Sequence, residues 1–134
     1  MDPALLDAYL RTTYWIEAPR GWLRLRIGAR DPALERLLAE RGARSWAVIT
    51  SDNPRSALLP PETNAQRRRI LEAELPRGWL RSWAVGDAGD WPPEIGCFVL
   101  GIGRAEAIAI GRRHGQNAIV FGLAGLAPEL VRCD

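Results

Sequence analysis

Seven polar residues of this chain stand where side chains could meet and do chemistry. Asn53, Arg55 and Ser56 share a loop, Asn64 and Arg67 open a helix, Glu94 precedes an apolar run, and Gln116 follows a glycine. The loop ends the stretch Ser45–Ser56, whose apolar run from Trp46 to Ile49 reads as a strand buried on both faces. Pro54 fixes its own φ and pushes Asn53 out of the helical region, so the strand delivers polar side chains into a turn. Counted in helical steps, Asn64, Arg67 or Arg68, Leu71 and Leu75 fall on one face, apolar below and polar above. Buried amides and guanidiniums need partners. Either Asn64 bonds the loop backbone and pins it, or it touches a ligand. An arginine beside the free N–H groups of a first helical turn suits a phosphate or carboxylate. Glu94, at a strand mouth, suits a general base or a magnesium ligand, or is simply solvated; Asp87 and Asp90 carry the same alternatives. Gln116 either points its amide into that mouth or serves a turn.

Other machinery is scarce. His114 is the only histidine, and its place in a last helical turn is explained by the helix dipole, which leaves little for a Ser–His–Asp triad. Cys97 and Cys133 with His114 fall short of the roughly four ligands of structural zinc. Cys97 lies inside an apolar strand and reads as a small buried hydrophobe, although one disulfide is possible. Gly101-Ile102-Gly103 starts like a phosphate loop, but Glu106 stands where the third glycine belongs. No cofactor and no metal are expected.

All eighteen basic residues are arginine, yet net charge is only +2, and residues 61–134 carry nine arginines against nine acids. Such balance argues against a nucleic-acid domain. At 134 residues, with 47% hydrophobic and 25% charged content, the chain reads as one globular domain. It shows no leader-like amino terminus and no apolar run of the ~20 residues that span a bilayer, so a cytoplasmic location without a membrane partner is expected.

The elements that must hold these residues follow from pattern. Asp2-Pro3 caps a helix to Leu10. Strands Thr13–Glu17 and Trp22–Ile27 flank Ala18-Pro19-Arg20-Gly21 as a hairpin, with Trp22, Arg24 and Arg26 on one side of the second strand. Asp31 as N-cap, Pro32 at N1, Leu34, Leu37 and Leu38 as a stripe and Gly42 as terminator predict the next helix. Strand 45–50, a helix opened by a capping box at Thr63, strands 79–85 and 95–102, helix 104–114 and strand 117–121 complete the chain, with an irregular tail from Gly122. The fold class is therefore α/β (α+β-like): a single domain, a mixed sheet of about six strands and helices packed on it.

Several segments taken together resemble the bacterial domain-of-unknown-function family 3293. They are Trp46-Ala47-Val48-Ile49-Thr50 with Asn53-Pro54-Arg55-Ser56, Asn64 with Arg67 and Leu71, Trp91-Pro92-Pro93-Glu94, and Gly101 to Ala107 with Gly115 to Ile119. The resemblance spans about Tyr14 to Gly122 and implies recurring polar positions at Asn53, Ser56, Asn64, Arg67, Glu94 and Gln116, without an activity. Family members often carry serine where this chain has Gly96 and Gly103. The leading expectation is a site for a small polar or anionic ligand. Arg67 would hold the anion, Asn53 and Asn64 would orient it, and Glu94 would be the base of a hydrolase- or transferase-type reaction. The rival is a non-enzymatic module that binds protein or nucleic acid through Trp22, Arg24 and Arg26.

Overall fold

Asp31 Oδ2 accepts the Leu34 N–H at 2.9 Å, Pro32 supplies the first helical φ, and Gly42 closes the helix at φ 63°, so α2 (Pro32–Arg41) begins and ends where its caps predict. The computed structural model, which describes residues 1–134, adds α1 (Pro3–Leu10), α3 (Pro61–Glu74) and α4 (Arg104–Arg113). The strands are β1 (Thr12–Ala18), β2 (Gly21–Leu25), β3 (Ser45–Thr50), β4 (Leu80–Gly86), β5 (Glu94–Leu100), β6 (Ala118–Leu123) and β7 (Glu129–Arg132). The helix expected to open at Thr63 starts two residues earlier. Pro61 at N1 presets the backbone, the Asn64 N–H reaches Pro60 O at 3.0 Å, and Thr63, the expected cap, therefore lies within the helix.

One sheet holds all seven strands in the order β2-β1-β4-β5-β3-β6-β7, and every neighbouring pair is antiparallel. A mixed sheet is the natural expectation from three helical connections, because a helix carries the chain back to start a strand in the same direction. Each connection here does so, but never between neighbours. The α3 connection skips β5, the α4 connection skips β3, and the α2 connection skips β1, β4 and β5. Strands of opposite direction fill every gap. The tail is also not irregular: residues 129–132 pair with β6 from Phe121↔Glu129 to Ala118↔Arg132, a run too short to show a period in sequence.

Strand alternation divides the apolar residues between two faces. On one, Tyr14, Ile16, Val48, Phe98 and Val120 pack under Leu34, Leu37 and Leu38 of α2. On the other, Ile49, Cys97, Val99 and Phe121 pack under Leu71 of α3 and Ile110 of α4. Trp46 stacks on Phe98 with centroids 5.3 Å apart. Both cysteines are unpaired, and burial pushes their thiols up, Cys97 to about 12 and Cys133 to about 11. No helix is long and apolar enough to cross a membrane.

Candidate functional site

Strand direction gathers the site. Because β1, β5 and β6 run opposite to β3 and β4, the starts of the first three and the ends of the other two lie at one edge of the sheet. The loop 51–60, the loop 87–93 and the turn 114–117 all open there. α3 begins at this edge, α4 ends at it, and α1 leads into β1 across it.

Asn53 stands at the centre. It is buried and left-handed at φ 48°, and Arg55 (φ 54°) and Ser56 (φ 58°) complete the chain's set of non-glycine residues with positive φ. Asparagine tolerates that region; arginine and serine adopt it at a cost of about 1 kcal/mol or more, which surrounding bonds must offset. They do. The Asn53 N–H donates to Asn64 Oδ1 at 3.0 Å, and Asn53 Oδ1 accepts from Asn64 Nδ2 at 2.9 Å and from the Leu59 N–H at 3.0 Å. Asn53 Nδ2 donates to Glu94 Oε2 at 2.9 Å. Arg67 donates through Nε to Ser51 O at 2.9 Å and through Nη2 to His114 O at 2.8 Å. Arg68 pairs with the buried Asp52 at 3.3 Å, and Asp52 Oδ2 accepts the Ile95 N–H at 3.0 Å. Gln116 Nε2 donates to Asp52 O at 3.1 Å. Asn117 Nδ2 donates to Ser56 Oγ at 3.0 Å. The Arg55 side chain is exposed while its N–H donates to Gly115 O at 2.7 Å.

Glu94 closes this network on one side and opens a cavity on the other. Its parity on β5 matches Phe98, so the side chain projects from the α2 face of the sheet, beyond the end of α2. A cavity of about 350 Å³ lies there between the sheet and α1, with Leu5 and Tyr9 of α1 above and Tyr14, Val48, Ala84 and Val120 among the floor residues. Thr50, Ser56, Ser82, Trp91 and Gln116 also line it. Both recorded bonds of the Glu94 carboxyl land on Oε2, from Asn53 Nδ2 and from Trp91 Nε1 at 3.2 Å, leaving Oε1 without a protein donor. Burial raises this carboxyl above its ordinary range; the bonds from Asn53 and Trp91 oppose the rise and nearby Asp52 adds to it. Burial likewise pushes the Tyr9 phenol up to about 12, and raises Tyr14 further.

The expected residues thus come together but divide into two jobs. Glu94, Gln116 and Ser56 line the cavity; Asn53 touches Glu94, Asn64 holds Asn53, and Arg67 staples two backbone carbonyls behind them. Tyr9, Tyr14, Trp91 and Asp52 belong to the same structure but were not among the expected site residues. Tyr9 carried a usable signal, since Leu5 and Tyr9 repeat at i, i+4 on a helix with no buried residue. No group of three or more histidine, cysteine or acidic side chains is arranged to hold a metal. His114 is buried against Glu74, Nε2 to Oε2 2.9 Å, and that bond holds the Glu74 carboxyl below its usual range. On the half of the sheet that no helix covers, Trp22 is 58% exposed and meets Trp15 edge-to-face at 6.5 Å. Arg24 is exposed beside it, whereas Arg26 turns to Asp87 at 2.8 Å.

Residues 49–119, more than half of the chain, match the model of the family described as "Protein of unknown function (DUF3293)". No curated protein and no solved structure matches the chain.

Proposed function

The chain belongs to the DUF3293 family, and from that premise and its geometry we propose that it binds a small, largely apolar molecule in the cavity beneath α1, with Glu94 as the polar anchor. One observation carries this reading: a carboxyl set in an apolar-lined cavity, with one oxygen fixed by Asn53 and Trp91 and the other left for a guest. A volume of about 350 Å³ is at the small end of ligand sites, which typically combine an apolar wall with a few placed polar groups. The anion expected from the sequence lacks its cation, because Arg67 directs Nε to Ser51 O and Nη2 to His114 O and does not line the cavity. Arg11, at the cavity's edge, is paired with Asp7 at 3.0 Å. A carboxyl raised above its ordinary range by burial also suits proton abstraction from a bound molecule, which keeps Glu94 as the base of any reaction here. Two unpaired, buried thiols support a reducing compartment, the cytoplasm, and the family resemblance supports a bacterial source.

A thermal-shift screen of small apolar molecules with and without a hydrogen-bond donor, beside nucleotides, sugar phosphates and inorganic anions, tests the reading. A ligand at a hundred times its dissociation constant stabilises by about 2.7 kcal/mol, several degrees in a domain this size. Donor-bearing apolar molecules are expected to shift wild type and to lose most of that shift in Glu94→Gln. A shift from phosphates or carboxylates that Glu94→Gln leaves intact would overturn it.

A further inference from the structure

The charges that face Glu94 narrow the guest. From α1 and the turn after it come Tyr9 and Arg11, the latter paired with Asp7. β1 contributes Tyr14, and the loop after β4 contributes Asp87, which Arg26 holds in a two-toothed pair at 2.8 and 2.9 Å. The loop after β3 contributes Asp52, paired with Arg68. Asn53, Ser56 and Gln116 are neutral. Asp7, Asp52 and Asp87 thus each have an arginine, whereas Glu94 has only two neutral donors on one oxygen. Around it stand three aromatic rings, Tyr9, Tyr14 and Trp91. A half-buried carboxylate without a counter-charge is costly in proportion to its burial, and aromatic faces attract cations.

We infer that the cavity takes an organic ammonium, whose cationic head meets Glu94 among Tyr9, Tyr14 and Trp91 and whose apolar body lies on the sheet face. The inference rests on the binding reading given above and names its ligand class. An ammonium supplies the missing charge, donates to the vacant Oε1, and brings apolar surface to Val48, Ala84 and Val120. A neutral donor would satisfy the oxygen but leave the charge uncompensated; a carboxylate or phosphate would add a second negative charge beside the first.

Three probes of one shape separate the possibilities: benzylammonium, benzyl alcohol and benzoate, titrated calorimetrically into the full chain. Benzylammonium is expected to bind about tenfold or more tighter than benzyl alcohol at pH 7.5, the scale of a hydrogen bond between charged groups, with benzoate weakest. The preference should collapse in Glu94→Gln. In wild type it should also shrink as pH falls through the raised range of the Glu94 carboxyl, because protonation removes the charge while benzylammonium keeps its own. That pH series needs no variant and so does not depend on one folding. Equal binding of benzylammonium and benzyl alcohol, or a preference for benzoate, would overturn the ammonium and leave the cavity a binding site. Absence of binding by all three at millimolar concentration would overturn both readings.

Discussion

Glu94 is held in a state that the unfolded chain would not choose. A carboxyl whose folded-state titration lies above its unfolded one favours folding only while protonated, and that contribution disappears as pH rises through the folded value. At any pH above that folded value, the ionised Glu94 therefore works against stability. Glu94→Gln keeps the shape and an oxygen to accept from Asn53 Nδ2 and Trp91 Nε1 while removing the half-buried charge. The substitution should raise Tm by a few degrees at pH 7 to 8. The gain should shrink as pH is lowered toward 4, where wild-type Glu94 is itself protonated. A Tm that falls at pH 7 and stays lower at every pH would contradict this account. The two amide ends and the N–H of Asn53 tie Glu94, Asn64 and the loop into one unit.

At the scale of elements, the two glycines at which the family resemblance implies serine, Gly96 and Gly103, sit in opposite environments. Gly96 in β5 lies so close to β3 that a Cβ would come within 2.6 Å of the Ile49 carbonyl oxygen and 2.9 Å of Ser82 Oγ. The first of these is backbone in a central strand and cannot step aside. Gly103 precedes α4 at φ −76°, with open space where a Cβ would go. Gly96→Ser should cost about 1–3 kcal/mol, the range of overpacked cores, and Gly103→Ser should be neutral or gain a few tenths as a helix N-cap. Urea unfolding checks both, with the midpoint falling in the first, holding or rising in the second, and the slope unchanged. A hydroxyl beside Glu94 is thus barred by the approach of β3 to β5, and the neighbouring Thr50 and Ser82 supply hydroxyls instead.

At the scale of the molecule, the cavity exists because two helices share one sheet face unevenly. α2 seals its part with Leu34, Leu37 and Leu38, all buried, whereas α1 buries no residue and leaves Leu6 and Leu10 more than 40% exposed. Removing residues 1–10 should therefore cost little stability, since both core clusters lack any residue of α1. It should weaken binding of any cavity ligand at least tenfold by taking away Leu5 and Tyr9. Circular dichroism and titration of the shortened chain test the two halves together. Retained affinity would place the ligand elsewhere, and a collapsed fold would make α1 part of the core.

The sequence alone determined what local chemistry controls. The caps and stripe of α2, the Pro/Gly hairpin between β1 and β2, the buried run of β3 and the polar loop at its end are all set by residues within a few positions of one another. It also marked Asn53, Asn64, Arg67, Glu94 and Gln116 as polar groups needing partners. Strand order, and with it the antiparallel sheet, was settled by which strands each helix skips, a property of the whole chain. So was the division of labour at the site. Whether Arg67 meets an anion or two carbonyls depends on where residues 51 and 114 come to rest. Whether Glu94 faces water or a cavity depends on α1, about eighty residues earlier in the chain. Those are long-range distances, and only packing decides them.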